Sequence, residues 1–215
     1  MPESKNYFVE TLNTPPDQVF VNHLGVDNQF FAPLPHVKQD ANLVLKLGEI
    51  RTRDYDILFR AVDGLPIKLL AAASGYWYAR ETNTSLPFKI PDNVEIAGYF
   101  SQFELRELYA RCQFVVLPLF NVNYAAGVTA TLEAMAMGRA VIVTRSEGIL
   151  DYIIDGQTGV VVDNGDVGAL HNAICHLISH PEEAHRLGQN ARQRIEDELN
   201  MTTYLARTAR LLQDT

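Results

Sequence analysis

The sequence has few cysteines, little positive charge and no long apolar run, and each shortage excludes a class of protein. Its two cysteines, Cys112 and Cys175, form neither a C-x-x-C motif nor a disulfide framework, so we expect a reducing compartment, the cytoplasm. The 26 acidic residues exceed the 18 basic ones, and this excess argues against nucleic acid or a polybasic membrane contact as the main partner. No apolar stretch reaches the roughly 20 residues that span a bilayer, and the polar start is unlike a secretory signal.

Several motifs of nucleotide-binding and metal-binding enzymes are also missing. Neither G-x-G-x-x-G nor G-x-x-x-x-G-K-[ST] occurs, which argues against NAD enzymes and P-loop nucleotidases. Asp54 and Asp56 form a D-x-D, but they stand where an amphipathic helix begins, a position that favours Asp without any metal. His171 and Cys175 are one helical turn apart, yet no second ligand pair completes a zinc site. We therefore expect no metal and no cofactor.

What the chain does contain, after residue 40, is a regular alternation of short apolar runs and amphipathic segments. This pattern is typical of successive βα units in a parallel sheet. The predicted strands are residues 42–48, 66–74, 93–99, 113–120, 140–144 and 159–163. The predicted helices are residues 55–62, 102–112, 127–138 and 148–155, and a helical end from residue 167 that breaks near Pro181 into two or three helices. The fold class is a single Rossmann-like, doubly wound α/β sheet of about six parallel strands, with ligand sites at the strands' carboxyl ends.

Composition divides the chain into three parts. Residues 1–40 are rich in Pro, Asn and Asp and are predicted to form a connector with one short strand at residues 18–22. Residues 41–200 form the predicted α/β domain, and residues 201–215 are the end of a C-terminal helix.

The segment from Phe114 onward carries the clearest site signal. A buried strand and a loop lead to a helix that begins at Gly127, where unpaired N–H groups of Gly127, Val128 and Thr129 would receive a phosphate. Glu133 shares a helix face with Thr129 and lies about 9 Å of helix rise beyond Gly127. A ribose next to a diphosphate fits this gap, since a carboxylate accepts from vicinal hydroxyls but repels phosphate. From spacing alone, Glu133 could equally be a plain helix former.

Residues 127–170, which begin "GVTATLEAMAMGRAVIVT", resemble the carboxyl-terminal, donor-binding domain of GT-B glycosyltransferases, specifically glycosyltransferase family 4. The resemblance runs from about Gly25 to Asn200. It implies that Glu133 binds the ribose of a nucleotide-sugar donor and that the start of its helix meets the diphosphate. The donor-binding residues that it implies are Gly48, Tyr99, Phe100, Ala125, Ala126, Gly127, Val128, Thr129 and Glu133.

The resemblance extends to the first βα turn, where basic side chains of the family neutralise the donor's phosphates. Arg51 and Arg53 are the best candidates here, and with Glu133 they form the implied catalytic set. Many members have an arginine directly after the glycine of this turn, whereas this chain has Glu49, so Arg51 is the expected substitute. Both arginines could instead be surface charges on a turn.

The loop after the third strand, with Gly98, Tyr99 and Phe100, resembles the part of the family that holds the nucleobase. Each of the two aromatic residues could equally be a core residue.

Two features depart from the family pattern. Ala125 stands where the family usually carries the first glutamate of an E-x7-E pair, which is associated with the donor sugar. The chain also lacks the amino-terminal, acceptor-binding domain, which would come from the same gene or from another chain.

The resemblance implies half of a retaining, metal-independent enzyme that transfers a sugar from a UDP- or GDP-sugar to a hydroxyl acceptor. Peripheral contact with a membrane through that acceptor stays open. The alternatives are a non-catalytic nucleotide-sugar-binding module and a fragment of a GT-B-fold UDP-amino-sugar epimerase.

Overall fold

The computed structural model describes residues 7–48, 53–72, 89–120, 122, 126–146 and 148–213. Within these residues, six strands form one parallel sheet in the order β3-β2-β1-β4-β5-β6. The strands are β1 Leu43–Leu47, β2 Lys68–Ala72, β3 Val94–Ala97, β4 Phe114–Leu117, β5 Ala140–Thr144 and β6 Val160–Val162. The predicted Rossmann-like α/β sheet is confirmed, and each observed strand lies inside its predicted segment.

The described ranges contain six α-helices. They are α1 Tyr55–Val62, α2 Gln102–Arg111, α3 Val128–Ala136, α4 Val167–Ser179, α5 Pro181–Asp197 and α6 Met201–Gln213. Asp54 and Asp166 each accept a hydrogen bond from the main-chain amide three residues on, and Ser101 and Glu104 form a reciprocal capping box. Pro181 begins α5, as a helix start favours. None of these helices combines the length and apolar character that crossing a bilayer requires.

The sheet is covered on both faces, which explains why its strands read as continuous apolar runs. Helices α2 and α3 pack on one face, against a core that includes Leu45 and Val115. Helices α1 and α4 pack on the other face, against a core that includes Val44 and Val116. Neighbouring residues of one strand thus point into different cores. The strands β1 and β4 are paired, so their carboxyl ends lie side by side at one edge of the sheet.

The predicted strand at residues 18–22 is wrong. Pro16–Gln18 form a short 3₁₀ turn, and the following residues have no regular structure. This segment runs beside α6 instead of along a sheet edge. The side-chain amide of Asn22 donates a hydrogen bond to the hydroxyl of Thr208 on α6, at 2.7 Å. A strand needs a neighbouring strand to accept its ladder of hydrogen bonds, and α6 offers none.

The predicted helix at residues 148–155 is also wrong, because residues 148–152 form consecutive turns and residues 153–155 are not helical. The amide of Ile153 bonds to the carbonyl of Ile149, as in a helix, but the pattern stops there. The hydroxyl of Thr158 accepts a hydrogen bond from the amide of Ile154 at 2.9 Å. A side chain therefore takes the amide that would have extended the helix.

Candidate functional site

A cavity of about 470 Å³ opens at the carboxyl ends of β1 and β4. The strand order reverses between these two neighbours, since β2 and β3 lie beyond β1 while β5 and β6 lie beyond β4. Ligands of open α/β sheets bind in the crevice at such a reversal. The residues that line the cavity are Leu24, Leu47, Gly48, Arg53, Leu105, Gly127, Val128, Thr129, Ala130, Glu133 and Tyr152.

The amino-terminal end of α3 forms one wall of the cavity. Gly127 precedes the helix with φ +80°, a left-handed conformation that favours glycine. Thr131 is the first residue whose amide bonds back within the helix, to the carbonyl of Gly127 at 3.0 Å. The amides of Val128, Thr129 and Ala130 have no intrahelical acceptor, and together with the helix dipole they favour an anion at this wall.

Arg53 lines the cavity next to this helix start and is 7% exposed. Its Nε donates to the carbonyl of Leu47 at 3.3 Å, so the guanidinium lies across the end of β1. Gly48, with φ +109°, leaves room for it, because a Cβ atom there would lie 2.7 Å from Nε of Arg53. The backbone of Arg53 also bridges that of Leu119, just beyond β4. One cation is thereby held at the ends of both strands that flank the cavity.

Glu133 faces the cavity from the second turn of α3 and is also 7% exposed. Its Oε2 accepts a hydrogen bond from the hydroxyl of Tyr109 at 2.9 Å. Burial raises the pKa of the Glu133 carboxyl above its ordinary value, and the hydrogen bond from Tyr109 opposes that rise. The pKa of Tyr109 is raised well above its ordinary value by burial and then by the charge of Glu133.

Lys46 is a charged residue near the site that the sequence reasoning missed. It is fully buried, its Nζ donates to the carbonyl of Gly48 at 2.8 Å, and it lies 3.4 Å from the centre of the Tyr55 ring. Burial lowers the pKa of the Lys46 ammonium well below its ordinary value, and the charge of Arg53 lowers it further. A lysine inside an apolar strand was the available signal, because buried lysines are rare.

The connector contributes to the cavity, which the sequence did not indicate. Leu24 lines it, and its main-chain amide donates to the hydroxyl of Tyr152 at 3.0 Å. Leu105, on α2, lines another part. The sequence around Leu24, Leu105 and Tyr152 is typical of a linker or a core, and nothing in it indicates a binding site.

The structure brings most of the predicted site residues together and separates a few. Gly48, Arg53, Gly127, Val128, Thr129 and Glu133 all line the one cavity. Ala126 is buried directly before Gly127 without lining the cavity. Arg51 and Ala125 lie outside the described residues. Tyr99 is 84% exposed and Phe100 packs partly against the core, so neither lines this cavity, and their contact with a nucleobase stays a prediction.

The D-x-D residues have structural partners. Oδ1 of Asp54 accepts from the amide of Ile57 at 3.1 Å, and Asp56 pairs with Arg60 one turn along α1. Over the described part of the chain, no cluster of three or more His, Cys, Asp or Glu residues could hold a metal ion.

Comparison with known proteins agrees with this architecture. A family model described as Glycosyl transferases group 1 matches residues 29–194. An uncharacterized glycosyltransferase of Methanocaldococcus jannaschii is 27% identical over 193 residues, which are 88% of this chain and 51% of that protein. The GDP-mannose-dependent alpha-(1-6)-phosphatidylinositol monomannoside mannosyltransferase of Mycolicibacterium smegmatis is 28% identical, over 87% of this chain and 54% of that protein. The chain thus spans about half the length of these curated relatives.

Solved structures share the fold at lower identity. Sucrose-phosphate synthase of Thermosynechococcus elongatus superposes with a TM-score of 0.81 at 21% identity, over all of this chain and 57% of that one. Anabaena HepE, solved in complex with UDP-glucose, superposes with a TM-score of 0.80 at 16% identity, over 98% of this chain and 61% of that one. The chain therefore belongs to the group 1 glycosyltransferases and has the Rossmann-like fold of a GT-B domain.

Proposed function

We propose that the chain is the donor-binding, carboxyl-terminal domain of a family 4 glycosyltransferase. The whole enzyme transfers a sugar from a UDP- or GDP-sugar to a hydroxyl acceptor, with retention of configuration and without a metal. One observation carries this proposal: the cation of Arg53, the amino-terminal end of α3 and the carboxylate of Glu133 converge on a single cavity. A nucleoside diphosphate presents anionic phosphates beside a ribose, which matches that arrangement of charges.

The diphosphate belongs on the side of the cavity where Arg53 and Gly127 lie next to each other. A Cβ atom on Gly127 would lie 3.6 Å from Nη2 of Arg53, so an anion bound near the amides of α3 is also close to the guanidinium. In glycosyl transfer the diphosphate leaves as negative charge builds on it. Hydrogen-bond donors that are already fixed toward that charge stabilise the transition state without having to reorganise. Arg51 stays the candidate for a second cation at the diphosphate.

The ribose belongs beside Glu133, deeper along α3. The carboxylate accepts hydrogen bonds from the ribose hydroxyls, and its distance along the helix from Gly127 keeps it from the phosphates. The relatives support the donor class, because one is described as GDP-mannose-dependent and one solved neighbour holds UDP-glucose. The acceptor site belongs to a further domain, in keeping with the half-length match to the relatives.

Calorimetric titration with UDP and with GDP tests donor binding. One of the two should bind at micromolar to low millimolar concentration, and the matching nucleoside, uridine or guanosine, should bind at least about tenfold more weakly because it lacks the phosphates. The variant Arg60→Ala, which removes an exposed arginine from α1, is the matched control and should bind like the parent chain. A folded sample that binds neither diphosphate contradicts the proposal.

The second candidate is a non-catalytic nucleotide-sugar-binding module, and the alanine at position 125 favours it. The two functions differ in turnover. The longest reading frame that contains this chain should release UDP from UDP-glucose, or GDP from GDP-mannose, if it is an enzyme. If the protein binds the nucleotide sugar without releasing the nucleotide, and Ala125→Glu makes release possible, the non-catalytic module is favoured.

We propose the cytoplasm as the compartment, since Cys112 and Cys175 are both unpaired thiols.

A further inference from the structure

Behind the cavity, the phenol of Tyr109 contacts the carboxylate of Glu133 from the core side. Tyr109 is fully buried on α2 and does not line the cavity. Its hydroxyl lies 2.9 Å from Oε2 of Glu133 and 3.3 Å from the carbonyl oxygen of Ala130. A phenol has one proton to donate, and the shorter contact to a charged acceptor takes it. Tyr109 is therefore a hydrogen-bond donor aimed at one carboxylate oxygen.

This donor is held in place by its surroundings. The ring of Tyr109 packs edge-on against Phe31, with 6.1 Å between the ring centres. The carbonyl oxygens of Tyr109 and Ala110 accept from Nε and Nη2 of Arg139 at 2.8 and 2.6 Å, which fixes the backbone at the end of α2. A ring packed on all sides keeps one rotamer, so the hydroxyl has a defined position.

The two oxygens of Glu133 differ in their surroundings. Across the described residues, Tyr109 is the single hydrogen-bond donor to this carboxylate, and it takes Oε2. Oε1 is the oxygen that Tyr109 does not bond, and the side chain to which it belongs lines the cavity. The carboxylate thus presents one oxygen to the core and one to the ligand.

We propose that Tyr109 is a positioning residue, which ties Oε2 of Glu133 to the core so that Oε1 is fixed toward a ribose hydroxyl. This inference rests on the proposed function and adds a residue to it. A carboxylate that is already ordered loses less rotational freedom when a sugar binds, so its hydrogen bond to the hydroxyl gains in net strength. Tyr109 acts through Glu133 and touches no substrate itself.

The variant Tyr109→Phe tests this role, because it removes one oxygen atom and keeps the buried ring. We expect the affinity for the bound diphosphate, UDP or GDP, to fall about 5- to 10-fold, the loss typical of one hydrogen bond. Affinity for its 2′-deoxy and 3′-deoxy forms should fall less, so that discrimination in favour of the ribose hydroxyls narrows. Titration calorimetry measures all of these, and thermal unfolding checks that the variant is folded.

Two further variants separate positioning from a purely structural role. Tyr204→Phe, on α6, removes a phenol oxygen that does not contact Glu133 and should leave discrimination unchanged. In a Glu133→Ala background there is no carboxylate to hold, so adding Tyr109→Phe should change affinity by less than about twofold.

Equal loss of affinity for the parent and deoxy nucleotides in Tyr109→Phe would overturn the inference, because it would show that the hydroxyl serves the fold alone. Affinities in Tyr109→Phe equal to those of the parent chain would overturn it as well, while leaving donor binding intact. If the parent chain binds neither UDP nor GDP, the proposed function fails and this inference with it, so the two failures are distinguishable.

Discussion

The guanidinium of Arg53 lies beside the backbone of Gly127, although the two residues belong to different βα units. A methyl group on Gly127 would lie 3.6 Å from Nη2 of Arg53 and 2.9 Å from Cδ2 of Leu119. The contact exists because β1 and β4 are neighbours in the sheet, so the segments that follow them share one edge. A cation and a helix amino terminus, each of which attracts an anion, are therefore next to each other.

Gly127→Ala should impair both folding and nucleotide binding. Its φ of +80° costs an L residue about 1–2 kcal/mol, and the clash with Leu119 adds about 1–3 kcal/mol. Gly165→Ala is the matched control, because Gly165 has φ +77° with open space around it and should show the conformational cost alone. Urea unfolding measures the difference, and UDP titration measures the binding loss. Equal destabilisation of the two variants would mean that Leu119 moves aside.

Arg53→Met should weaken binding of the nucleoside diphosphate while keeping the volume of the side chain. Hydrogen bonds to charged groups contribute about 1.5–3 kcal/mol, so we expect affinity to fall by roughly one to two orders of magnitude. Binding should also become less sensitive to salt, because one charge contact is lost. Arg60→Met, which removes an exposed charge from α1 just after Arg53 in the chain, should do neither. If Arg53→Met binds the nucleoside diphosphate as tightly as the parent chain does, Arg53 has only a structural role.

Glu133→Gln should stabilise the protein near neutral pH and weaken ribose recognition. Burial raises the folded-state pKa of Glu133 above its unfolded value, so the folded state binds more protons between those two pKa values. The parent chain therefore loses stability as pH rises through that window, and the glutamine variant does not. We expect its thermal midpoint to lie above that of the parent chain at pH 7.5.

At pH 4, just below the unfolded pKa of glutamate, the advantage of Glu133→Gln should largely disappear, because the carboxyl is mostly protonated in both states. The hydrogen bond from Tyr109 survives the substitution, since the amide oxygen accepts it. A variant that is less stable than the parent chain at pH 7.5 would contradict this prediction.

Gly188→Ala should unfold the domain or come close to it. A Cβ atom on Gly188, in α5, would collide with the carbonyl oxygen of Gly138 and lie 3.1 Å from the amide of Ala140, so α5 could no longer pack at the start of β5. We expect a loss of about 3 kcal/mol or more, typical of overpacking against rigid backbone. Gly168→Ala, in α4, meets only a side-chain oxygen of Asp166 at 3.4 Å and should be close to neutral. Circular dichroism during heating distinguishes these results.

The sheet, its six strands and most helices followed from the sequence because their signals are local. Apolar runs mark strands that are buried on both faces, and Asp54 marks a helix start by its own capping bond. The two wrong elements had the right local composition. Residues 18–22 lie beside helix α6, and among the described residues no neighbouring strand is there to pair with them. The turns that begin at residue 148 do not continue as a helix, because the hydroxyl of Thr158 accepts the hydrogen bond of the Ile154 amide.

The candidate site was predictable where one segment carries it. Gly127 and Glu133 lie on one helix, so their spacing in the sequence fixes their separation in space. Leu24, Leu105 and Tyr152 were not predictable, since they reach the cavity from three separate segments whose local patterns describe only a linker or a core.

The sequence by itself determined the α/β alternation, the strands that needed burial, and the helix that presents amides and a carboxylate on one side. Only the tertiary structure decided that Arg53 faces this helix, that Lys46 lies buried beneath Gly48, and that Tyr109 holds one oxygen of Glu133. The reason is physical. Periodicity reports which face of an element avoids water, whereas contacts between elements depend on strand order, and strand order is set by how all the buried faces pack together.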